Sequence, residues 1–421
     1  MKYTVESSPI VGEVLAPPSK SHTIRAAFFA ALAEGESIIT NPLESADTRS
    51  AVNAIKMLGA DVDLSNGDWR ITGAAGRVGA PRTSIDVGNS GTTARFVISM
   101  ASLGLTPILI KGDSQTSSRP MGPLLNALIR LGARVTASNG KLPATIEGPI
   151  SGGETEVDGT TSQYLSSLLI HTPLAPYDTV LKLLELNEKP YVDMTLRWLD
   201  QLDIEYEREG YSLFKVRGRQ EYSSFNKVIP GDFSSATFFA CLGAIPGNSV
   251  AILGLDFEDS QGDKVIFDYL EAMGAKVEHQ KDRVFVTGQN LEAVDLDLND
   301  TPDALPAISA LASLAKGKTT LCNVPQARIK ETDRISVMAE ELSKMCIKTE
   351  ETIDSLIIHG GKPKGAKVSG HGDHRIVMSL ALVASAAKGI TTIDSAEAVN
   401  ITFPNFANMF LQAGGIISQS E

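Results

Sequence analysis

The chain has 421 residues, 43% of them hydrophobic and 21% charged, enough apolar material for a full-sized core and for one to three domains. A net charge of −12 argues against a nucleic-acid partner, whose phosphates it would repel, but not against a small anion held in a local cationic pocket. The opening residues MKYTVESSPI lack the apolar stretch of a secretion signal, and the longest apolar run, 376–387, is too short to span a bilayer, so a cytoplasmic protein with no membrane partner is expected. Cys241, Cys322 and Cys346 lie in apolar stretches without metal-ligand spacing and are expected to be buried small side chains.

In chain order, PPSKSHTIRAAFFAALAEG (17–35) predicts a loop opening an amphipathic helix. Lys20 and Ser21 stand at its N-terminus, where free N–H groups and the helix dipole attract anions, with Arg25 one turn further on the same side. AIKMLGADVDLSNGDWRITG follows: a helix end, a glycine stop, a strand, the turn Ser65-Asn66-Gly67 and a returning strand that closes at Gly73. DVGNSGTTARFVISMASLG (86–104) places small residues, Gly91 among them, at a strand-to-helix turn where a ligand approaches the backbone closely, with Arg95 one turn in. No lysine follows the last glycine of that turn, so it is not a P-loop. Arg119, held extended by Pro120, marks another helix entrance, and Thr161, Ser162 and Gln163 mark a fourth.

Past Gly218 the polar stretch RQEYSSFNK predicts a link between two halves, and PGDFSSA a fresh helix start capped by Asp232 or Ser234. Asp303 in NDTPDALPA stands at a further helix start. ARIKETDRISVMAEEL sets Arg328, Lys330, Glu331, Asp333 and Arg334 between a strand and an apolar-periodic helix. GHGDHRIVMSLALVA contributes His371, Asp373, His374 and Arg375; no other ligands cluster with the two histidines, so no metal is expected there.

The helix–strand–turn–strand pattern recurs about every 70 residues, ending at Gly73, Gly148, Gly218, Gly288 and Gly360, with a truncated copy, MFLQAGG, at Gly415. Each copy has room for one more strand and helix, giving a β-α-β-α-β-β unit. Six units read better as two closed groups of three than as an open array, which would need special caps at both ends. The expected domains are 15–229 and 1–14 with 230–421, joined by crossings near 12–16 and 226–230. If the units share an orientation, their strand-to-helix loops bring cations, hydroxyls and acids to one cleft.

SKSHTIR, GNSGTTAR, SRPMGPL, TSQYLSSLL, KPYVDMTL, PGDFSSA, IKETDRI and GDHRIVM together resemble, in order, the motifs of the 5-enolpyruvylshikimate-3-phosphate synthase family over residues from about 9 to about 415. The resemblance implies an α/β fold of two similar domains, each of three βαβαββ units forming an inside-out α/β barrel, with the active site in the interdomain cleft. It implies enolpyruvyl transfer from phosphoenolpyruvate to the 5-hydroxyl of shikimate-3-phosphate with release of phosphate, without metal or organic cofactor, in a protein that is usually a monomer. Carried over position by position, Lys20, Ser21, Arg25, Thr161, Ser162, Gln163, Tyr191, Asp303, Gln326 and Lys330 match shikimate-3-phosphate ligands. Lys20, Gly91, Arg119, Gln163, Arg334 and Arg375 match the phosphoenolpyruvate site, and Asp303, Glu331 and Lys20 the catalytic set. Glu331 is expected to carry the proton for the methylene carbon, and Asp303, with Lys20 assisting, to accept the proton of the attacking hydroxyl.

Two positions depart from the pattern. Glu188 replaces the family's usual serine before Lys189-Pro190-Tyr191, a contact to the substrate phosphate, and Ile401 replaces a lysine before Thr402-Phe403-Pro404. Three alternatives stand beside the main reading. One is the sister enolpyruvyl transferase acting on a UDP-sugar, whose mobile loop carries a cysteine that 112–120 lacks; another is a non-catalytic paralogue binding a different phosphorylated ligand. The third, an RNA-processing relative, conflicts with the net charge.

Overall fold

In the computed structural model, which describes residues 1–421, the helices sort into two kinds by where their apolar residues fall. Six are buried on nearly every face: Lys20–Leu32, Gly91–Ala101, Ser162–His171, Phe233–Ala244, Leu305–Ala312 and His374–Ala386. A helix apolar all round has no face to offer water, so these form the cores. The Lys20 helix is therefore not the amphipathic element its sequence suggested: Arg25 and His22 are buried along with its phenylalanines. Ala46–Met57, Gly122–Arg130, Lys189–Gln201, Ile266–Ala272, Arg334–Lys344 and Phe406–Gln412 each bury one face and expose the other.

The strands form six four-stranded sheets of one pattern. In Asp295–Asp297, Lys318–Cys322, Leu356–His359 and Lys348–Glu351, the first pair is parallel and the other two antiparallel. None closes on itself; the expected barrel consists of three open sheets and three buried helices per unit.

The chain falls into two compact units, Lys20–Ile229 and Met1–Ser19 with Pro230–Glu421. The first crossing lies at 19/20 rather than near 15, because Val11–Leu15 is a whole strand of the second unit, parallel to Ser249–Leu253. Strands distant in sequence complete both units. Asn226–Val228 lies parallel to Glu34–Thr40, and Lys2–Glu6 sits between Thr391–Asp394 and Ile416–Ser420. The sixth repeat, truncated in sequence, thus takes its missing strand from the start of the chain.

Glycine marks each repeat twice. Gly59, Gly132, Gly274 and Gly414 stop helices at positive φ, where a side chain would crowd the backbone, while Asp203 (φ 55°) and Cys346 (φ 67°) hold the equivalent places in the other two copies. The closing glycines lie directly against other backbone: a Cβ on Gly73 would overlap the carbonyl of Ala33, one on Gly288 that of Ile245, one on Gly360 that of Ala315. The cysteines correct the composition-based expectation, since Cys241 is buried, Cys322 half-buried and Cys346 exposed at its left-handed turn.

Candidate active site

The predicted residues gather in two groups, one in each unit, most of them at or near helix N-termini, where unpaired N–H groups favour negative charge.

In the Lys20–Ile229 unit, Lys20 opens its helix and its Nζ lies 3.1 Å from Asp47, which the sequence reading passed over although Ser45 and Thr48 spell a capping box around it. Arg25 is committed to protein: Nε donates to Thr195 Oγ1 (2.9 Å), Nη1 to the Ser21 carbonyl (3.1 Å) and Nη2 to the Tyr191 carbonyl (2.9 Å). Burial lowers its pKa to about 10, against the opposing pull of Tyr191, so it remains a cation at neutral pH. It clamps the Lys20 helix to the Lys189 helix and thereby places Ser21 and Tyr191 together.

Gly91 begins its helix under the Arg119 and Arg95 guanidinium groups, and a Cβ there would overlap Arg119. Arg95 Nη1 donates to the Gly91 carbonyl (3.0 Å) and Nη2 to that of Pro120 (3.3 Å), tying the loop that carries Arg119 to the helix start. The stretch 112–120 contains a short helix, Ser114–Ser118, capped by Asp113.

Thr161 caps the helix Ser162–His171, with Gln163 in its first turn. The departure at Glu188 has a definite geometry. Its Oε2 accepts hydrogen bonds from Ser162 Oγ (2.8 Å), Ser162 N (3.1 Å) and Thr161 Oγ1 (3.1 Å).

In the other unit, Arg334 is the hub. It is 1% exposed; Nε donates to Asp373 Oδ2 (2.8 Å), Nη1 to Asp303 Oδ1 (2.8 Å) and Nη2 to Glu331 Oε2 (2.5 Å). Asp303 Oδ2 also meets Arg375 Nη2 at 3.2 Å, and Lys330 Nζ lies 3.6 Å from Asp303 Oδ1. Arg375 is held further by Ser234 Oγ (2.8 Å) and the Asp303 carbonyl (3.1 Å). Gln326, buried in the turn Pro325–Ile329, donates Nε2 to the Asn299 carbonyl at 2.8 Å. Lys330, Arg334 and Arg375 thus balance Asp303, Glu331 and Asp373.

Burial by itself would raise the Asp303 carboxyl, but Arg375, Lys330 and Arg334 outweigh it and hold it well below the ordinary carboxylate range. Asp373 is likewise raised by burial and brought below its usual value by Arg334. Burial opposes the Arg334 charge, yet its three carboxylates lift that pKa above the usual one.

Asp373 was legible only as a neighbour of two histidines, although it caps the Arg375 helix, with Arg375 N donating to its Oδ1 at 2.9 Å. His371 turns instead to Glu341 (2.6 Å), whose carboxylate, with that of Glu340, already meets the Lys344 ammonium. Ile401 ends the short turn Ala396–Ile401, half-buried. No helix is long and apolar enough to cross a membrane.

A family model for EPSP synthase (3-phosphoshikimate 1-carboxyvinyltransferase) matches residues 5–410. The 3-phosphoshikimate 1-carboxyvinyltransferase of Acetivibrio thermocellus is 50% identical, covering 100% of both chains. That of Ruminiclostridium cellulolyticum is 45% identical over 99% of each, and that of Methanococcoides burtonii 42% over 100% of each. A solved structure of EPSP synthase from Acinetobacter baumannii superposes with a TM-score of 0.84 at 27% identity, covering 100% of both chains.

Proposed function

The chain belongs to the EPSP synthase (3-phosphoshikimate 1-carboxyvinyltransferase) family, and on that premise we propose how its own residues carry the reaction of that name. The enzyme transfers the enolpyruvyl group of phosphoenolpyruvate to the 5-hydroxyl of shikimate-3-phosphate and releases phosphate. Its substrates are small molecules. The observation that carries the reading is the cluster in which Lys330, Arg334 and Arg375 balance Asp303, Glu331 and Asp373, and which joins fixed cations for an anionic donor to two carboxyl groups, Asp303 and Glu331, for proton transfer.

Arg334, Arg375 and Arg119, with Lys20, Gly91 and Gln163, hold the phosphoenolpyruvate carboxylate and phosphate, since guanidinium groups stay charged and bind such oxygens in pairs. Lys20, Ser21, Arg25, Thr161, Ser162, Gln163, Tyr191, Asp303, Gln326 and Lys330 hold shikimate-3-phosphate, Arg25 by positioning Ser21 and Tyr191. Glu331 delivers a proton to the methylene carbon while the acceptor hydroxyl attacks the neighbouring carbon and passes its proton to Asp303. In the adduct the former methylene is a methyl group; it returns a proton to Glu331 as the bond from carbon to the phosphate oxygen breaks, the double bond re-forms, and the departing phosphate takes the proton held by Asp303.

With three cations on it, Asp303 is a weak base. Anionic substrates that engage Arg334, Arg375 and Lys330 draw off part of that positive field, and the carboxyl rises toward the range where it accepts a proton. Substrate binding and base activation are one event in this scheme. The protein works as a monomer without metal or organic cofactor, and its charge disfavours nucleic acid.

The test is incubation with both substrates while phosphate release is followed. Steady release that requires both is the expected result; tight binding of another phosphorylated ligand with no release overturns the assignment.

A further inference from the structure

The acceptor side of the site already contains an anion. Glu188 is 1% exposed and occupies the left-handed region (φ 58°, ψ 40°), a backbone state disfavoured for any residue with a Cβ. It stands at the N-cap of Lys189–Gln201 but gives that helix no side-chain cap. Asp113, Asp232, Asp333 and Asp373, in similar places, each cap their own helix. The Glu188 carboxylate instead crosses to the neighbouring helix, where the Thr161 hydroxyl, the Ser162 hydroxyl and the Ser162 N–H all donate to its Oε2.

Each hydroxyl has one hydrogen to give and the N–H has one. All three point at Glu188, and a phosphate on the same groups needs the same hydrogens. Two anions sharing one dry pocket also repel strongly. Carboxylate and phosphate therefore exclude each other.

We propose that Glu188 is a tethered anion seated in the phosphate pocket of Thr161 and Ser162, and that a phosphorylated acceptor binds by displacing it. Glu188 then sets acceptor affinity without touching the donor site. This rests on the reading above that Thr161 and Ser162 hold the acceptor's phosphate.

The experiment is calorimetric titration of the full-length protein and its Glu188→Ser and Glu188→Gln variants with shikimate-3-phosphate and, separately, with unphosphorylated shikimate, alongside steady-state kinetics. Glu188→Ser is expected to tighten shikimate-3-phosphate by at least about tenfold, one charge-assisted interaction freed, with shikimate affinity and the KM for phosphoenolpyruvate held within about twofold. Glu188→Gln, which keeps the shape and loses the charge, moves the same way by less, and carries the test if the serine variant does not fold. Unchanged or weaker shikimate-3-phosphate binding in both variants overturns the proposal. So does a wild type that binds shikimate more tightly than its phosphate, because Glu188 would then replace the ligand's phosphate permanently. The predicted ranking without phosphate release sinks the functional reading and leaves this one standing; release without the ranking does the reverse.

Discussion

Arg334 donates to three carboxylates from inside the protein, so its removal is felt in folding before chemistry. Arg334→Met takes the shared cation from Glu331 and Asp373 while Asp303 keeps Arg375 and Lys330, and is expected to destabilise by about 3–5 kcal/mol, read as a drop in the urea midpoint. Adding Asp373→Asn should recover part of that loss, measured in the same assay. Residue chemistry was partly visible in the sequence. The run from Arg328 to Arg334 stood out by charge, but a charged run usually faces water, and nothing local says that Arg334 turns inward. Its inward partners, Asp303 and Asp373, are 31 and 39 positions away. Arg25 misled in the opposite sense: a cation at a helix start suggests a ligand contact, whereas here it holds two helices together.

At the scale of elements, the repeat makes comparisons that single helices do not allow. Cys346 occupies a left-handed helix stop that four of the six copies give to glycine, and its side chain is exposed. Cys346→Gly should therefore stabilise by about 0.5–1 kcal/mol, with a higher Tm. Gly360→Ala is the contrary case, since its Cβ meets the Ala315 carbonyl; a loss of about 3 kcal/mol is expected from chemical denaturation. These elements were largely readable, because a glycine stop, a polar turn and an alternating strand are local signals that six copies reinforce. The helix Ser114–Ser118 escaped notice because its residues are weak helix formers and Asp113 alone caps it. The burial of the Lys20 helix escaped for another reason: Lys20, Ser21, His22 and Arg25 at its head look like a polar face until their partners are known.

For the molecule as a whole, acid should act in two windows. Burial depresses His171 to about 4, opposed weakly by the Ser167 carbonyl, so the unfolded chain binds a proton there that the folded chain refuses. That stabilising contribution is complete above about pH 6.5 and falls as pH drops toward 4, by about 3 kcal/mol in all. Asp303 and Asp373 have lowered pKa values, so their contribution holds above their unfolded value of 3.8 and is lost only as pH falls below it. Urea midpoints measured from pH 7 to 3 should show the upper step and the onset of the lower, and His171→Gln should remove the upper one. The two-unit plan could be inferred from the count of repeats and the polar link after Gly218. That Lys2–Glu6 completes the sixth sheet could not, because strand pairing across almost the whole chain leaves no local trace.

That pairing fixes an order of events on the ribosome. The strands of Lys20–Ile229 are all available once residue 229 has emerged, whereas Lys2–Glu6, made before any of them, has no neighbour until Thr391–Asp394 appears. Nascent chains stalled with about 240 residues exposed should already resist protease across 20–229 but remain cleavable near their start, and chains stalled near 380 should be cleaved there as readily. A segment synthesised ahead of both units is thus among the last to be secured. Until residues 391–394 emerge it is an unpaired edge, and its lysine, tyrosine, threonine, valine and glutamate keep that edge polar enough to wait.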